Sequence, residues 1–182
     1  MRFVFIAVMI LMTGCEYFSV EKKIMSKGQS TPTQLARFLK TRNKNVTPKS
    51  LSFIARVYVT EASKEGVNSD IAFVQMCLET NWLRFGGQVS IKQNNFCGLG
   101  ALDGGAKGAS FPSVRTGVRA HIQHLKAYAS YSSLRQRCVD PRFKYVKRGS
   151  ATTVEGLTKR WASDPNYHDK LIRLLKELSD YR

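Results

Sequence analysis

Among the acids of this chain, Glu79 has the surroundings best suited to moving a proton. It lies in the stretch Ser69–Gly100, SDIAFVQMCLETNWLRFGGQVSIKQNNFCGLG, which reads as a helix followed by a glycine-rich loop. Ile71, Val74, Met76 and Leu78 are apolar, Asn68 or Ser69 is a natural N-cap, and Asp70 suits the first turn. Asn81, Trp82 and the pair Gly86-Gly87 then end the helix, which leaves Glu79 in its last turn at the mouth of the loop. A carboxylate there feels the negative end of the helix dipole. If Trp82 and Phe85 also exclude water, its proton affinity rises. Such an environment suits a general acid that must hold its proton near neutral pH.

Other groups are weaker candidates. Glu61, on the preceding apolar-striped helix, is a second acid of interest. Asp103 is the only acid between Glu79 and Asp140, so it is the only carboxylate the loop segment can supply. Asn94-Asn95-Phe96-Cys97-Gly98-Leu99-Gly100 is dense in amides and turn formers, which suits a polar cleft that reads hydroxyl and acetamido groups. His121 and His124 are three apart and share one helix surface. The third histidine is His168 and no cysteine pair has zinc-like spacing, so the expectation is no metal and no cofactor.

The elements that must position these groups are legible in outline. Thr47-Pro48 is a helix start, with Leu51, Ile54, Ala55, Val57, Tyr58 and Ala62 as its apolar stripe and Gly66 as its stop. Residues 84–113 read as a loop-rich or small-sheet lobe, with a short strand expected at Gln88–Ile91. Residues 114–131 read as a helix whose buried face carries Val118, Ile122, Leu125, Tyr128 and Ala129. A capping box at Thr152–Glu155 opens a short helix to Trp161, and Asp164-Pro165 starts the last one, with Leu171, Ile172, Leu174, Leu175 and Leu178 inward.

The N-terminus is different. Residues 1–15 hold one Arg and an apolar run from Phe3 to Met12, too short for a permanent span and of signal-peptide length. Met12-Thr13-Gly14-Cys15 resembles a bacterial lipobox, which implies export and lipidation at Cys15. Residues 16–47 are polar and basic and read as a linker, with a short helix over Thr33–Lys40. The folded domain is then 48–182. Of the remaining cysteines, Cys77 reads as a core residue and Cys97 with Cys138 as a possible disulfide. The 182 residues carry 29 Lys plus Arg against 13 Asp plus Glu, a net +16. This balance suits a polyanionic partner, and export makes nucleic acid an unsuitable one.

From about Ser52 onward the chain resembles the bacterial glucosaminidases of glycoside hydrolase family 73. The matching segments are Ala72–Thr80, Gln93–Gly100, Phe111–Ser113, Gly117–Leu125 and Trp161–Tyr167. The resemblance implies an α+β, mainly α, lysozyme-like domain with a small loop or β lobe over the cleft. It implies hydrolysis of the β-1,4 bond between N-acetylglucosamine and N-acetylmuramic acid in peptidoglycan glycan strands; a monomer is the expected state. By position, Glu79 matches the family's catalytic acid and Tyr167 its active-site tyrosine, while Asn95, Phe96 and Gly98, with Trp82, match the residues of the sugar cleft. Asn81 and Leu83 stand where many relatives have glycine or lysine. Asp103 is the candidate second carboxylate. Two alternatives stay open: a lytic transglycosylase using the same Glu79, distinguished by an anhydro product, and a non-catalytic wall-binding lipoprotein, distinguished by binding without release.

Overall fold

Thr47 caps the helix that Pro48 begins, its hydroxyl accepting the amide of Ser50, and Gly66 closes it in the left-handed conformation at φ 76°. The computed structural model describes residues 22–86, 89–101, 105 and 107–182. Among these residues there are five α-helices: α1 Pro32–Arg42, α2 Pro48–Glu65, α3 Ser69–Glu79, α4 Val114–Ala129 and α5 Tyr167–Ser179. Three short 3-10 turns, Ile91–Gln93, Phe143–Tyr145 and Glu155–Leu157, complete the regular structure. The domain is mainly helical among the described residues, as expected from the sequence pattern. α3 runs through its centre, and every residue from Ser69 to Cys77 is buried. α2 packs on α1, α3 and α4, and α5 packs on α3. One apolar core joins all five helices, with Phe38, Tyr58, Phe73, Met76, Ile122, Leu125, Leu171 and Leu175 at its centre.

Several boundaries differ from the sequence expectation. Residues 22–47 are not a free tether. Leu35, Phe38 and Leu39 recur at helical spacing on α1 and are buried, and Thr31 and Gln34 form a reciprocal capping box. Ile24 is fully buried, its amide donating to the Thr152 carbonyl and its carbonyl accepting from Asn68. The Asp70 carboxylate accepts the amides of Gln29 and Ser30 and pairs with Arg182 at 3.0 Å, which ties the segment before α1 and the last residue of the chain to the start of α3. The segment from Lys22 onward therefore belongs to the domain. Asp164 does not cap α5; its carboxylate accepts the amide of Asn166, and the helix begins at Tyr167. Between Thr152 and Trp161 only one 3-10 turn forms.

The lobe between α3 and α4 contains no strand among the described residues beyond an isolated bridge, Gly86 to Val89, and Ile91 opens a 3-10 turn instead of ending a strand. Backbone contact holds this lobe to α4. A Cβ at Gly117 would sit 1.7 Å from the Asn94 carbonyl oxygen, so only glycine admits that approach. Gly117→Ala is expected to destabilise the fold by about 1–3 kcal/mol and to loosen the lobe. Urea unfolding with hydrogen exchange at Asn94–Phe96 checks this, and wild-type stability would refute it.

Glu61, the second acid of interest, is committed elsewhere. Its fully buried side chain pairs with Arg115, Arg119 and Lys64 on the α2–α4 seam. Burial alone would raise its pKa, but the donors from Arg119, Lys64, Arg115 and Gln136 outweigh it and bring it down to about 2. Glu61 is thus an ionised tie between helices. Cys77 and Cys97 are buried free thiols and Cys138 an exposed one, so the Cys97–Cys138 bridge does not form.

Candidate active site

α3 carries its buried run as far as Cys77, and Glu79, two residues further on, is exposed where the helix meets the surface. The chain then turns sharply. The Thr80 hydroxyl donates to the Met76 carbonyl and accepts the Leu83 amide, while Trp82 and Phe85 return their amides to Cys77 and Thr80. Asn81, Trp82, Leu83 and Phe85 all lie at positive φ, between 47° and 62°. Left-handed backbone at bulky residues is costly and is retained where surrounding contacts over-determine it, often at functional sites. Asn81 and Leu83 thus occupy conformations that glycine adopts without strain.

Glu79 Oε1 accepts two hydrogen bonds. The Tyr167 hydroxyl donates at 2.5 Å and the Trp161 indole N–H at 3.1 Å. Tyr167 is the first residue of α5, so the α3–α5 packing brings the pair together across 88 residues. Trp161 is wedged against His121, His124 and Tyr128 of α4, with ring centroids 5.6, 5.1 and 5.8 Å away. With both donors on Oε1, Oε2 is the oxygen left to carry an acidic proton.

The electrostatics agree with that assignment. Glu79 keeps solvent contact at its rim, yet protein crowds its carboxyl. That desolvation raises its pKa above the ordinary carboxylate value despite the two donors. Burial, and then the negative charge of Glu79, pushes Tyr167 well above the usual phenol range, so Tyr167 remains a donor. Burial and then His124 lower His121 to about 3, which keeps that imidazole neutral.

The other expected site residues are placed as follows. Trp82 does not line the Glu79 shell: its ring packs 5.1 Å from Phe38, lies beneath the Arg42 guanidinium, and its carbonyl is held by Asn43. It anchors the left-handed turn to α1. Asn95 is fully buried, and its amide is used up inside the lobe, donating to the Leu99 and Ala109 carbonyls and accepting the Leu99 amide. It shapes the loop and does not read a sugar. Phe96 is buried against Phe85 and lines a groove with Ile54, Leu83 and Ile91. Gly98 sits in the turn at φ 70°. Asp103 and Cys15 lie outside the described residues. Among the described residues no group of three His, Cys, Asp or Glu is arranged to hold a metal ion.

Sequence reasoning missed Trp161 and Gln75 as neighbours of the acid. Gln75 is one helical turn before Glu79, so the two share a face; that spacing was the available signal.

Residues 55–180 match the family model Glucosaminidase, described as mannosyl-glycoprotein endo-beta-N-acetylglucosaminidase. The chain belongs to the Glucosaminidase family. This glucosaminidase is thus a glycoside hydrolase of the endo-β-N-acetylglucosaminidase type. It is 44% identical over 158 residues to an uncharacterized protein of Borreliella burgdorferi, covering 87% of this chain and 78% of that one. Among solved structures, the catalytic domain of the autolysin Auto from Listeria monocytogenes aligns with 21% identity and a TM-score of 0.46, over 85% of this chain and 90% of that one. S. aureus autolysin E, solved with the muropeptide NAM-L-Ala-D-iGlu, aligns with 17% identity and a TM-score of 0.49, over 87% and 71%.

Proposed function

We propose that this glucosaminidase cleaves peptidoglycan glycan strands at the β-1,4 bond between N-acetylglucosamine and N-acetylmuramic acid, with Glu79 as general acid. The observation that carries the reading is the Glu79 carboxyl at the C-terminal end of α3: Tyr167 and Trp161 both donate to Oε1, Oε2 is left for the proton, and the crowding of protein around the carboxyl raises its pKa. The motif resemblance, the net charge of +16 and the apolar leader support a polyanionic, extracellular substrate.

Glu79 Oε2 delivers its proton to the glycosidic oxygen as the bond breaks. The carboxylate formed is stabilised by the Tyr167 hydroxyl and the Trp161 indole, both already aimed at it, so no reorganisation accompanies the proton transfer. The oxocarbenium-like charge is met on the other face of the sugar. Asp103 is the proposed carboxylate there; an inverting geometry would set the two carboxyl groups about 6.5–9.5 Å apart, leaving room for the attacking water, and the substrate acetamido group is the alternative.

Mass spectrometry of fragments released from purified peptidoglycan tests the reading. Reducing N-acetylglucosamine ends, lost in Glu79→Gln, are expected. Reducing muramic ends would make the protein a muramidase, and anhydro-muramic ends a lytic transglycosylase. Binding without release would favour a wall-binding lipoprotein.

We further propose export and lipid anchoring at Cys15. Cells fed an alkyne-tagged fatty acid should label the wild type and not Cys15→Ser; equal labelling would refute the assignment.

A further inference from the structure

The Tyr167 hydroxyl that faces Glu79 also ends a buried hydrogen-bond chain that crosses the core. Gln75 Nε2 lies 2.7 Å from the Tyr167 oxygen. Gln75 Oε1 lies 2.9 Å from His121 Nε2, and His121 Nδ1 lies 3.0 Å from the Tyr58 hydroxyl. Tyr58, Gln75 and His121 are each 0% exposed. α2, α3, α4 and α5 contribute one residue each: Tyr58, Gln75, His121 and Tyr167.

Proton counting gives this chain one direction. Tyr167 has a single O–H and donates it to Glu79, so its oxygen must accept from Gln75 Nε2. Gln75 Oε1 then faces His121 and needs a donor, which places the imidazole proton on Nε2. Nδ1 is left as an acceptor, and the Tyr58 O–H supplies its proton. Each link fixes the next, and all four bonds point from Tyr58 toward Glu79.

We propose that Tyr58, His121 and Gln75 are positioning residues: together they lock the Tyr167 proton onto Glu79, so that the donor is already in place when Glu79 gives up its own proton. The proposal rests on Glu79 being the general acid. None of the three touches the reacting carboxyl, so each acts only through Tyr167. The lock depends on neutrality at its centre. A proton added to His121 would have to displace the Tyr58 donor from Nδ1. The titratable groups that bear on the chain are His124 from α4, Cys77 and Glu79 from α3, and Cys97 from the lobe.

Removing the far end should be felt at the near end. In Tyr58→Phe the ring packing against Phe73 and His121 is kept and only the hydroxyl is lost. Nδ1 then has no donor. The imidazole can take the other tautomer and the Gln75 amide can turn over, which offers Tyr167 an acceptor in place of a donor. Its proton is drawn off Glu79. In Gln75→Leu the donor that fixes the Tyr167 oxygen is lost, so its hydroxyl is no longer held in the one orientation that faces Glu79.

The test is steady-state kinetics of the full chain on purified peptidoglycan for Tyr58→Phe, Gln75→Leu and Glu79→Gln, with thermal unfolding in parallel. Tyr58→Phe and Gln75→Leu are expected to lower kcat about 10-fold or more with KM within twofold, the size of losing one bond to a charged group. Because that bond favours ionised Glu79, its loss should also move the alkaline limb of the pH–rate profile upward. Wild-type kcat and an unmoved limb in folded variants would overturn the proposal, leaving the chain a packing feature that changes Tm alone. If Gln75→Leu does not fold, the single-hydroxyl deletion Tyr58→Phe decides by the same criteria. Activity retained in Glu79→Gln would instead overturn the general-acid reading beneath it.

Discussion

Glu79→Gln is expected to lower kcat by about 10²–10⁴-fold while leaving Tm unchanged or raised. The amide oxygen of Gln can still accept from Tyr167 and Trp161, so the local hydrogen bonds survive. What disappears is the ionisable proton. The stability effect has a definite sign. Burial raises the Glu79 pKa in the folded state, so the native protein binds this proton more tightly than the unfolded chain does. Wild-type stability from this group is present at low pH and declines as pH rises through the folded-state value. The Gln variant should lack that decline, and the difference in Tm between the two should widen toward alkaline pH. Activity has the same polarity: the acid works only while protonated, so the alkaline limb of the rate profile reports Glu79. Thermal unfolding across pH, with initial rates on peptidoglycan, checks both halves. A variant with wild-type turnover would remove Glu79 from the mechanism.

Glu65→Leu should be the most damaging single change to the fold. Lys126 is only 2% exposed and its ammonium is 2.9 Å from Glu65, whose side chain is fully buried. The same carboxylate accepts the amides of Arg135 and Gln136, so it also holds the connection after α4. Deleting it strands a buried cation and two part-buried amide donors. Breaking such a pair on one side costs about 3–5 kcal/mol, which for a chain of this size is a drop of roughly 10 °C in Tm. Lys126→Met should be milder, because Glu65 keeps its two amide donors. The double variant should lie above Glu65→Leu, since the stranded charge is gone. Acid should act on wild type in the same direction. Burial would raise the Glu65 pKa, but the amides and Lys126 lower it from 4.5, and Glu61 is brought to about 2. Stability from both carboxylates is present above about pH 4.5 and is lost as pH falls, for Glu61 down to about 2. Urea midpoints for the three variants decide the matter, and a Glu65→Leu loss under 1 kcal/mol would refute it.

Local signals carried most of the helix ends. Thr47-Pro48, Asn68 and Gly66 act within three or four residues, through side chain to backbone bonds and a left-handed stop, and they can be read without knowing what packs nearby. Glu79 was legible for the same reason. The segment before residue 48 was not. Its basic composition suits a tether, and the Leu35, Phe38 and Leu39 stripe on α1 is only three residues wide. What commits it to the core is distant: Trp82 against Phe38, and Asp70 under Ser30. The partners of the acid were hidden similarly. Gln75 and His121 sit on helices whose neighbouring residues are buried, where a polar side chain looks like an accident of packing until its partner across 46 residues is seen. Asn95 misled in the opposite way, because an amide in a glycine-rich loop suits a sugar as well as it suits its own backbone.

The docking of the N-terminal segment also bears on the reach that the proposed lipid anchor would allow. Val154 donates to the Lys22 carbonyl and Ile24 donates to Thr152, so the chain is fastened to the body from Lys22 onward. With a lipid on Cys15, as proposed, only seven residue steps separate the bilayer from that fastening, about 25 Å even fully drawn out. A tether running to residue 47 would have allowed between about four and five times that reach. Anchored in that way, the enzyme would reach only the glycan nearest its own membrane.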